Sequence, residues 1–311
     1  MSLVHARCQG SQLGFGGSGI GGSHGPVTEA DAAAAVAAAW ELGVRYFDTA
    51  PRYGAGVGER RLGAALAGRP RSEFAVSTKV GLLVADERAD GSGTLVHDYT
   101  REGILRSLEA SRRRTGFDRF DIVFVHDPED HLDIAIAEAL PALIALRDEG
   151  AIGAVGAGMN LVEPLRTIVQ RSEPDALMVA GRWTLVDRSA RELLDECAER
   201  GVTVIAAAPF NSGLLAEPAP RDGATFNYVR APAEMLARAY ACAVVCSRHG
   251  VELPAAALQF PLGHPAVARV VAGVCDAAES AAAVDRMSTR IPDDAWRELD
   301  ALAEPASGAA W

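Results

Sequence analysis

Eight short apolar runs, each followed by a longer amphipathic stretch, recur along the 311 residues of this chain. The runs lie at 12–16, 44–48, 74–80, 120–126, 151–157, 176–180, 202–207 and 268–273. Helical periodicity separates them at 29–42, 58–67, 101–115, 132–149, 161–171, 189–200 and 232–249, and continues after the last at 277–287 and 293–303. A strand that must cross back through a helix before its next partner builds parallel β-sheet. Eight such units in about 300 residues suit a closed (β/α)8 barrel of TIM type better than an open sheet. Thr28 with Asp31 marks the start of the first helix, and Gly43, Gly116, Gly150 and Gly201 stand where helices should stop. No Ser-, Gly- or Pro-rich linker interrupts the pattern, so residues 1–311 read as one domain. Two irregular stretches, 81–98 and 211–231, follow strands, and in a barrel such loops cover the catalytic face.

The chemistry is narrowed by what is scarce. The chain carries 29 arginines and a single lysine, Lys79. Arginine is bulky, planar and permanently charged, whereas lysine is a compact point charge, so a lysine that survives such a bias marks a place where guanidinium will not serve. Lys79 ends the third run, Asp48 ends the second, Tyr53 follows it, and His126 ends the fourth. Three consecutive strands thus deliver polar residues to one rim, where barrel enzymes keep their active sites. A free tyrosine titrates near pH 10 and is a poor base at neutrality, but an adjacent ammonium favours its phenolate. Asp48 would hold Lys79 in place, and His126 would orient a substrate oxygen. A G-x-G-x-x-G match at Gly14, Gly16 and Gly19 is not a dinucleotide fingerprint, because no helix opens on its third glycine.

The net charge of −11 argues against nucleic acid as a partner. The one basic run, Arg112 to Arg114, reads as a solvated helix end. No run approaches the roughly 18 uncharged apolar residues of a membrane span, and residues 1–10 hold no signal-peptide core, so a cytoplasmic enzyme is expected. Cys8, Cys197, Cys242, Cys246 and Cys275 are scattered and form no metal pattern, so they read as reduced thiols and no metal is expected.

These residues also carry a family resemblance. Phe47-Asp48-Thr49-Ala50-Pro51-Arg52-Tyr53-Gly54 with Gly58-Glu59 and Leu62-Gly63, then Ser77-Thr78-Lys79-Val80, then Asp121 to Asp127, resemble the signatures of the aldo-keto reductases in matching order. The resemblance implies a (β/α)8 barrel, a nicotinamide cofactor at the strand ends, and a catalytic tetrad of Asp48, Tyr53, Lys79 and His126. Within the family, residues 156–160, 180–185, 210–215 and 253–260 are most similar to the aldose 1-dehydrogenase and pyridoxal 4-dehydrogenase branches. By that likeness Asn160 would hold the nicotinamide carboxamide, and Ser212, Gly213 and Leu214 would lie along the pyrophosphate. Arg182 and Trp183 would meet the substrate, the first donating to a hydroxyl and the second covering the sugar ring. The chain departs from the family at Ala180, in place of a carboxamide-binding Gln, and at Ala207, in place of the stacking aromatic, with Phe210 as the substitute. Asp276 and Glu279, in a stretch 270–285 free of Lys and Arg, imply NAD as the preferred cofactor and NADP as the alternative. The implied reaction is oxidation of a small aldose at C1 to a lactone. A pyridoxal dehydrogenase, a general aldehyde or ketone reductase, and a non-catalytic cofactor-binding subunit are the competing readings. Nothing in the sequence sets the oligomeric state.

Overall fold

The computed structural model describes residues 12–302 except His24, Ala89 and Asp90; Cys8, residues 1–10 and the expected helix end at 303 lie outside the described residues. Eight parallel strands close on themselves in chain order: β1 Leu13–Gly16, β2 Tyr46–Asp48, β3 Ala75–Val80, β4 Ile122–His126, β5 Val155–Met159, β6 Ala176–Ala180, β7 Thr203–Ala207 and β8 Val267–Gly273, with β8 paired back to β1. The fold is the expected (β/α)8 barrel.

Helices α1 Glu29–Glu41, α2 Val57–Leu66, α3 Arg101–Thr115, α4 Leu140–Asp148, α5 Val162–Arg171, α6 Arg191–Arg200, α7 Ala233–Arg248, α8 Leu253–Gln259, α9 Ala277–Ser288 and α10 Asp293–Ala301 wrap the outside. Thr28 Oγ1 accepts from the Asp31 N–H at 3.1 Å and starts α1 as expected, while Gly116 and Gly201 end α3 and α6 in the left-handed conformation.

The strand alternation decides what the barrel contains. Tyr46, Ala75, Ile122, Phe124, Ala154, Ala176, Met178, Ile205 and Val271 form the inner cluster, and their neighbours one residue along face the helices in the larger core. Successive side chains point to opposite faces of a strand, so the last inward residue of each strand has the same parity as this cluster. Those residues are Gly16, Asp48, Lys79, His126, Gly158, Ala180, Ala207 and Gly273. The mouth is therefore divided. Its β2–β4 side is bulky, polar and ionisable, and its β5–β8 side carries only glycine and alanine.

Four local features differ from the sequence reading, each for an identifiable reason. The fifth strand starts at Val155, because residues 151–153 form a turn whose carbonyls at 151 and 152 accept from Arg112 and Arg119. The helix expected over 132–149 contains a π segment, Ala135–Ala139; Pro141 follows it and offers no N–H to the regular ladder. Helix α8 was missed because Leu253 to Leu258 are all buried, leaving no polar face to reveal a helical period. The two irregular stretches each contain an antiparallel hairpin, Leu82–Val84 with Leu95–His97 and Thr225–Phe226 with Val229–Arg230. Asn227 and Tyr228 turn the second hairpin at φ 51° and 65°, the left-handed pair that a tight hairpin turn needs.

The basic run at the end of α3 is also not uniformly solvated. Arg113 is exposed, but the Arg114 side chain is 4% exposed and pairs through Nε with the fully buried Glu59 at 2.5 Å and through Nη1 with Glu87 at 2.7 Å. Glu59 Oε1 also accepts from Thr78 Oγ1 at 2.8 Å, so this network ties α2, α3, β3 and the first hairpin together. Removing one partner of a buried pair leaves the other charged and unpaired, which costs about 3–5 kcal/mol. Arg114→Ala is accordingly expected to lose about that much stability in urea unfolding, and Arg113→Ala less than about 0.5 kcal/mol. Equal losses would return Arg114 to the surface.

Candidate active site

Tyr53 sits in the loop between β2 and α2, and the chain around it is tightly constrained. Gly54 has φ +59°, and a Cβ there would lie 2.2 Å from the Gly21 carbonyl oxygen. A Cβ on Gly21 would in turn lie 2.8 Å from the Tyr53 Cβ. The glycine-rich segment after β1 thus packs its bare backbone against the Tyr53 loop. The next helix opens only at Glu29, consistent with the rejection of a dinucleotide turn.

The structure brings the four rim residues together. Lys79 Nζ donates to Asp48 Oδ2 at 2.6 Å, to the Thr49 carbonyl at 3.0 Å and to the Tyr53 hydroxyl oxygen at 3.1 Å, using all three of its protons. Asp48 Oδ1 accepts from Ser77 Oγ at 2.7 Å, and Ser77 Oγ accepts from the Tyr46 hydroxyl at 2.8 Å. The Tyr53 and His126 rings meet edge to face, 6.2 Å between centroids.

Electrostatics set the protonation states. Burial works against the Lys79 ammonium, but Asp48 and Tyr53 outweigh it, so the amine sits above its ordinary range and stays charged. Burial pushes the Tyr53 phenol up to about 12, with Lys79 pulling it down and Asp48 and Asp127 adding to the rise. Lys79 acts in the expected direction, and the net value still lies above that of a free tyrosine because desolvation of a phenolate costs more than one ammonium returns. His126 is held well below its usual value by burial and then by the charge of Lys79, and is neutral at working pH. Its Nδ1 is buried with no partner among the described residues.

A second tier of residues was not read from the sequence. Ser77 and Tyr46 sit on the inward parity and were open to that argument. Tyr99, 2% exposed, donates its hydroxyl to the His126 carbonyl at 2.6 Å and the Asp127 carbonyl at 2.8 Å. Arg52 Nη1 pairs with Asp127 Oδ2 at 2.8 Å across the loops after β2 and β4. Neither contact has a local signal, since each joins residues more than 25 positions apart.

On the β5–β8 side, Ala180 and Ala207 stand in register beside one another, both partly accessible. Asn160 is half-buried, and its carbonyl accepts from Arg182 Nε at 2.6 Å. After β7 the chain passes through left-handed conformations at Ala208, Asn211, Ser212 and Gly213. Asn211, 2% exposed, donates Nδ2 to the Gly181 carbonyl at 3.0 Å, and its Oδ1 is buried without a partner among the described residues. Ser212 Oγ accepts from the Tyr228 N–H of the second hairpin, Gly213 is exposed, Leu214 is fully buried, and Phe210 packs partly on the core. Asp276 Oδ1 accepts from the Glu279 N–H at 2.8 Å, while Glu279 Oε2 accepts from the Cys275 N–H at 2.7 Å. Asp276 therefore caps α9, and the Glu279 carboxylate folds back on Cys275, taking its backbone N–H and meeting its thiol.

The two residues expected at the substrate are packed and paired within the protein. Trp183 is 5% exposed and packs on Phe260 at 5.3 Å between centroids and on His264 at 5.5 Å, so it is part of the core. Arg182 is tied to Asp187 at 3.1 Å as well as to Asn160 and braces the loop after β6, which commits two of its five N–H groups. The four described cysteines are free, three of them buried, and the described residues contain no cluster of metal-binding side chains. Among those residues no helix is long and apolar enough to cross a membrane.

Comparison with known proteins agrees with this geometry. The model of the aldo/keto reductase family matches residues 12–304. The chain is 40% identical to D-threo-aldose 1-dehydrogenase of a Pseudomonas species and 36% identical to pyridoxal 4-dehydrogenase of Microbacterium luteolum, each match covering 92% of both chains. A solved aldo-keto reductase from Bacillus halodurans, in its holo form, superposes with a TM-score of 0.76 at 26% identity, over 96% of this chain and 93% of that one. The divided mouth, with a lysine, a tyrosine, a histidine and an aspartate on one side and bare strand ends on the other, thus belongs to an oxidoreductase of the aldo/keto reductase family.

Proposed function

We propose that the chain oxidises the anomeric carbon of a small neutral aldose to a lactone, with NAD as hydride acceptor and Tyr53 as proton carrier. The observation that carries the chemistry is the 3.1 Å contact between the Lys79 ammonium and the Tyr53 phenol. The substrate class is supported by the 40% identity to D-threo-aldose 1-dehydrogenase.

In this reading Asp48 fixes Lys79, Lys79 limits how far burial raises the Tyr53 phenol, and neutral His126 orients the anomeric oxygen. The phenol is protonated at neutral pH, which suits it to give a proton in carbonyl reduction. In oxidation it must take one, so the oxidative rate should climb through the alkaline range as phenolate forms.

The residues present fit a nicotinamide dinucleotide. Gly158, Ala180 and Ala207 leave the β5–β7 side of the mouth without bulk, and the buried Asn211 Oδ1 awaits a donor. Asn160 and Asn211 would hold the carboxamide, Phe210 would flank the ring, the Ser212–Gly213–Leu214 turn would run along the pyrophosphate, and the carboxylates of Asp276 and Glu279 would accept ribose hydroxyls. When bound, the cofactor supplies a carbon that accepts the hydride leaving C1. Two carboxylates at this cap repel a 2′-phosphate, so kcat/KM with NAD is expected to exceed that with NADP by at least about tenfold, the scale of one charge-assisted contact.

The test is a side-by-side assay of L-fucose, D-arabinose, L-galactose, D-glucose and pyridoxal with each cofactor, following the absorbance of reduced nicotinamide. Pyridoxal outrunning every sugar would replace the aldose reading with that of the 36% identical relative. Equal or better efficiency with NADP would overturn the NAD assignment.

A further inference from the structure

Trp183 is in the core and Arg182 is paired with Asp187 and Asn160, so a group beside the proton carrier itself is the better placed to read a hydroxyl near the reacting carbon. We propose that Asp127, braced by Arg52, accepts a hydrogen bond from the hydroxyl on the carbon next to the reacting one, making the cleft selective for α-hydroxy carbonyl compounds and sugars. The inference rests on the oxidoreductase chemistry proposed above and deepens its account of substrate choice.

Position comes first. Asp127 follows His126 directly, and Arg52 precedes Tyr53 directly, so the ion pair joins the two residues that flank the proposed proton carrier and orienting imidazole. Asp127 Oδ2 lies 3.7 Å from His126 Nε2, beyond a hydrogen bond. Oxygens on neighbouring carbons, when gauche, are spaced like hydrogen-bonded atoms. One can therefore meet the imidazole while the other meets the carboxylate. A lone carbonyl oxygen offers only the first contact.

The backbone is held to make this possible. Asp127 has φ +43°, a left-handed conformation that costs a non-glycine residue about 1 kcal/mol. Two donors hold it: the Tyr99 hydroxyl, its one proton shared between the His126 and Asp127 carbonyls, and the Asp127 N–H, which donates to the Gly158 carbonyl at 3.0 Å. Tyr99 is a positioning residue for this turn.

Charge completes the case. Arg52 occupies Oδ2, and Oδ1 has no partner among the described residues. Burial holds the carboxyl above its ordinary value, with Arg52 and Lys79 opposing the rise and Glu129 adding to it. An ionised carboxylate only accepts hydrogen bonds, so it demands a donor from the ligand. A substrate hydroxyl supplies one, and a simple aldehyde leaves a partly desolvated acceptor unmet. With Glu129 and Asp130 following in sequence, the same edge disfavours anionic aldehydes.

The experiment compares reduction of glyceraldehyde with that of propanal by NADH, in which hydride reaches the carbonyl carbon and a proton reaches its oxygen. The two aldehydes differ in their hydroxyls and not in carbon number. The wild type should prefer glyceraldehyde. In Asp127→Asn the ratio of the two kcat/KM values should fall by about ten- to a hundredfold, the scale of one charge-assisted hydrogen bond, mostly through KM. Arg52→Gln, at an exposed position that folding tolerates, should lower the same ratio by a smaller factor and decides the matter if Asp127→Asn fails to fold. A wild type without preference or without glyceraldehyde turnover overturns the proposal, as does a ratio that the variants leave unchanged. Wild-type turnover of L-fucose and D-arabinose reports separately on the aldose reading, which can fail while the hydroxyl preference stands.

Discussion

Tyr53→Phe is expected to lose about two to four decades of turnover in both directions, the range for removal of a general acid–base group. The substitution removes one oxygen and little else. The ring keeps its edge-to-face contact with His126, and the loop keeps its glycine packing, since neither uses the hydroxyl. Cofactor binding, read by quenching of protein fluorescence, should be retained within a few-fold. Retention of more than a tenth of wild-type turnover would remove Tyr53 from the role of proton carrier. A parallel loss of cofactor binding would show that the variant had disturbed more than the proton.

Lys79→Met carries the second large effect, and it has two separable parts. The first is stability. Asp48 is 2% exposed and would lose its ammonium while keeping only Ser77, so about 3–5 kcal/mol is expected to disappear in urea unfolding at neutral pH. The second is the pH profile. Lys79 lowers the Tyr53 phenol, and removing it lets burial raise the phenol further above about 12. Less phenolate is then present at any pH, so the alkaline rise of the oxidation rate should move upward in the variant. Lys79→Arg should restore part of the stability but little of the activity, because a planar fork cannot reproduce three tetrahedral bonds from one nitrogen. An unmoved pH profile in Lys79→Met would separate Lys79 from the titration of Tyr53.

The barrel and the rim were legible for the same reason: both follow from period. Apolar runs of strand length alternating with helical stretches dictate parallel sheet. Two-residue alternation then places Asp48, Lys79 and His126 on the inside once Tyr46, Ala75 and Ile122 are known to be there. The scarcity of lysine added weight that no pattern could. What stayed hidden depended on contacts distant in sequence or on burial. The hairpins at residues 82–97 and 225–230 are too short to show alternation. Arg114 looks like its neighbours Arg112 and Arg113 until Glu59 is packed beside it. Trp183 and Arg182 carried a family likeness, and their packing on Phe260 and pairing with Asp187 join residues too distant in sequence or too short-ranged in pattern to be read from it. The net rise of the Tyr53 phenol was missed because Lys79 is visible in the sequence and desolvation is not.

A closed barrel leaves no strand edge unpaired, whereas each of the two hairpins standing beside the mouth is a two-stranded sheet with no further strand partner among the described residues. Among the described residues these are the places where β-structure ends in an open ladder, and they carry Val96, Tyr228 and Val229 at 46%, 75% and 64% exposure. Self-association through strand addition would therefore begin at the entrance to the cleft, not on the barrel wall. Their brevity, two or three residues to a strand, limits the register such a contact could hold. Conditions that loosen the hairpins should occlude the cleft by sticking before they unfold the barrel, so inactivation at high protein concentration would precede the loss of helical signal.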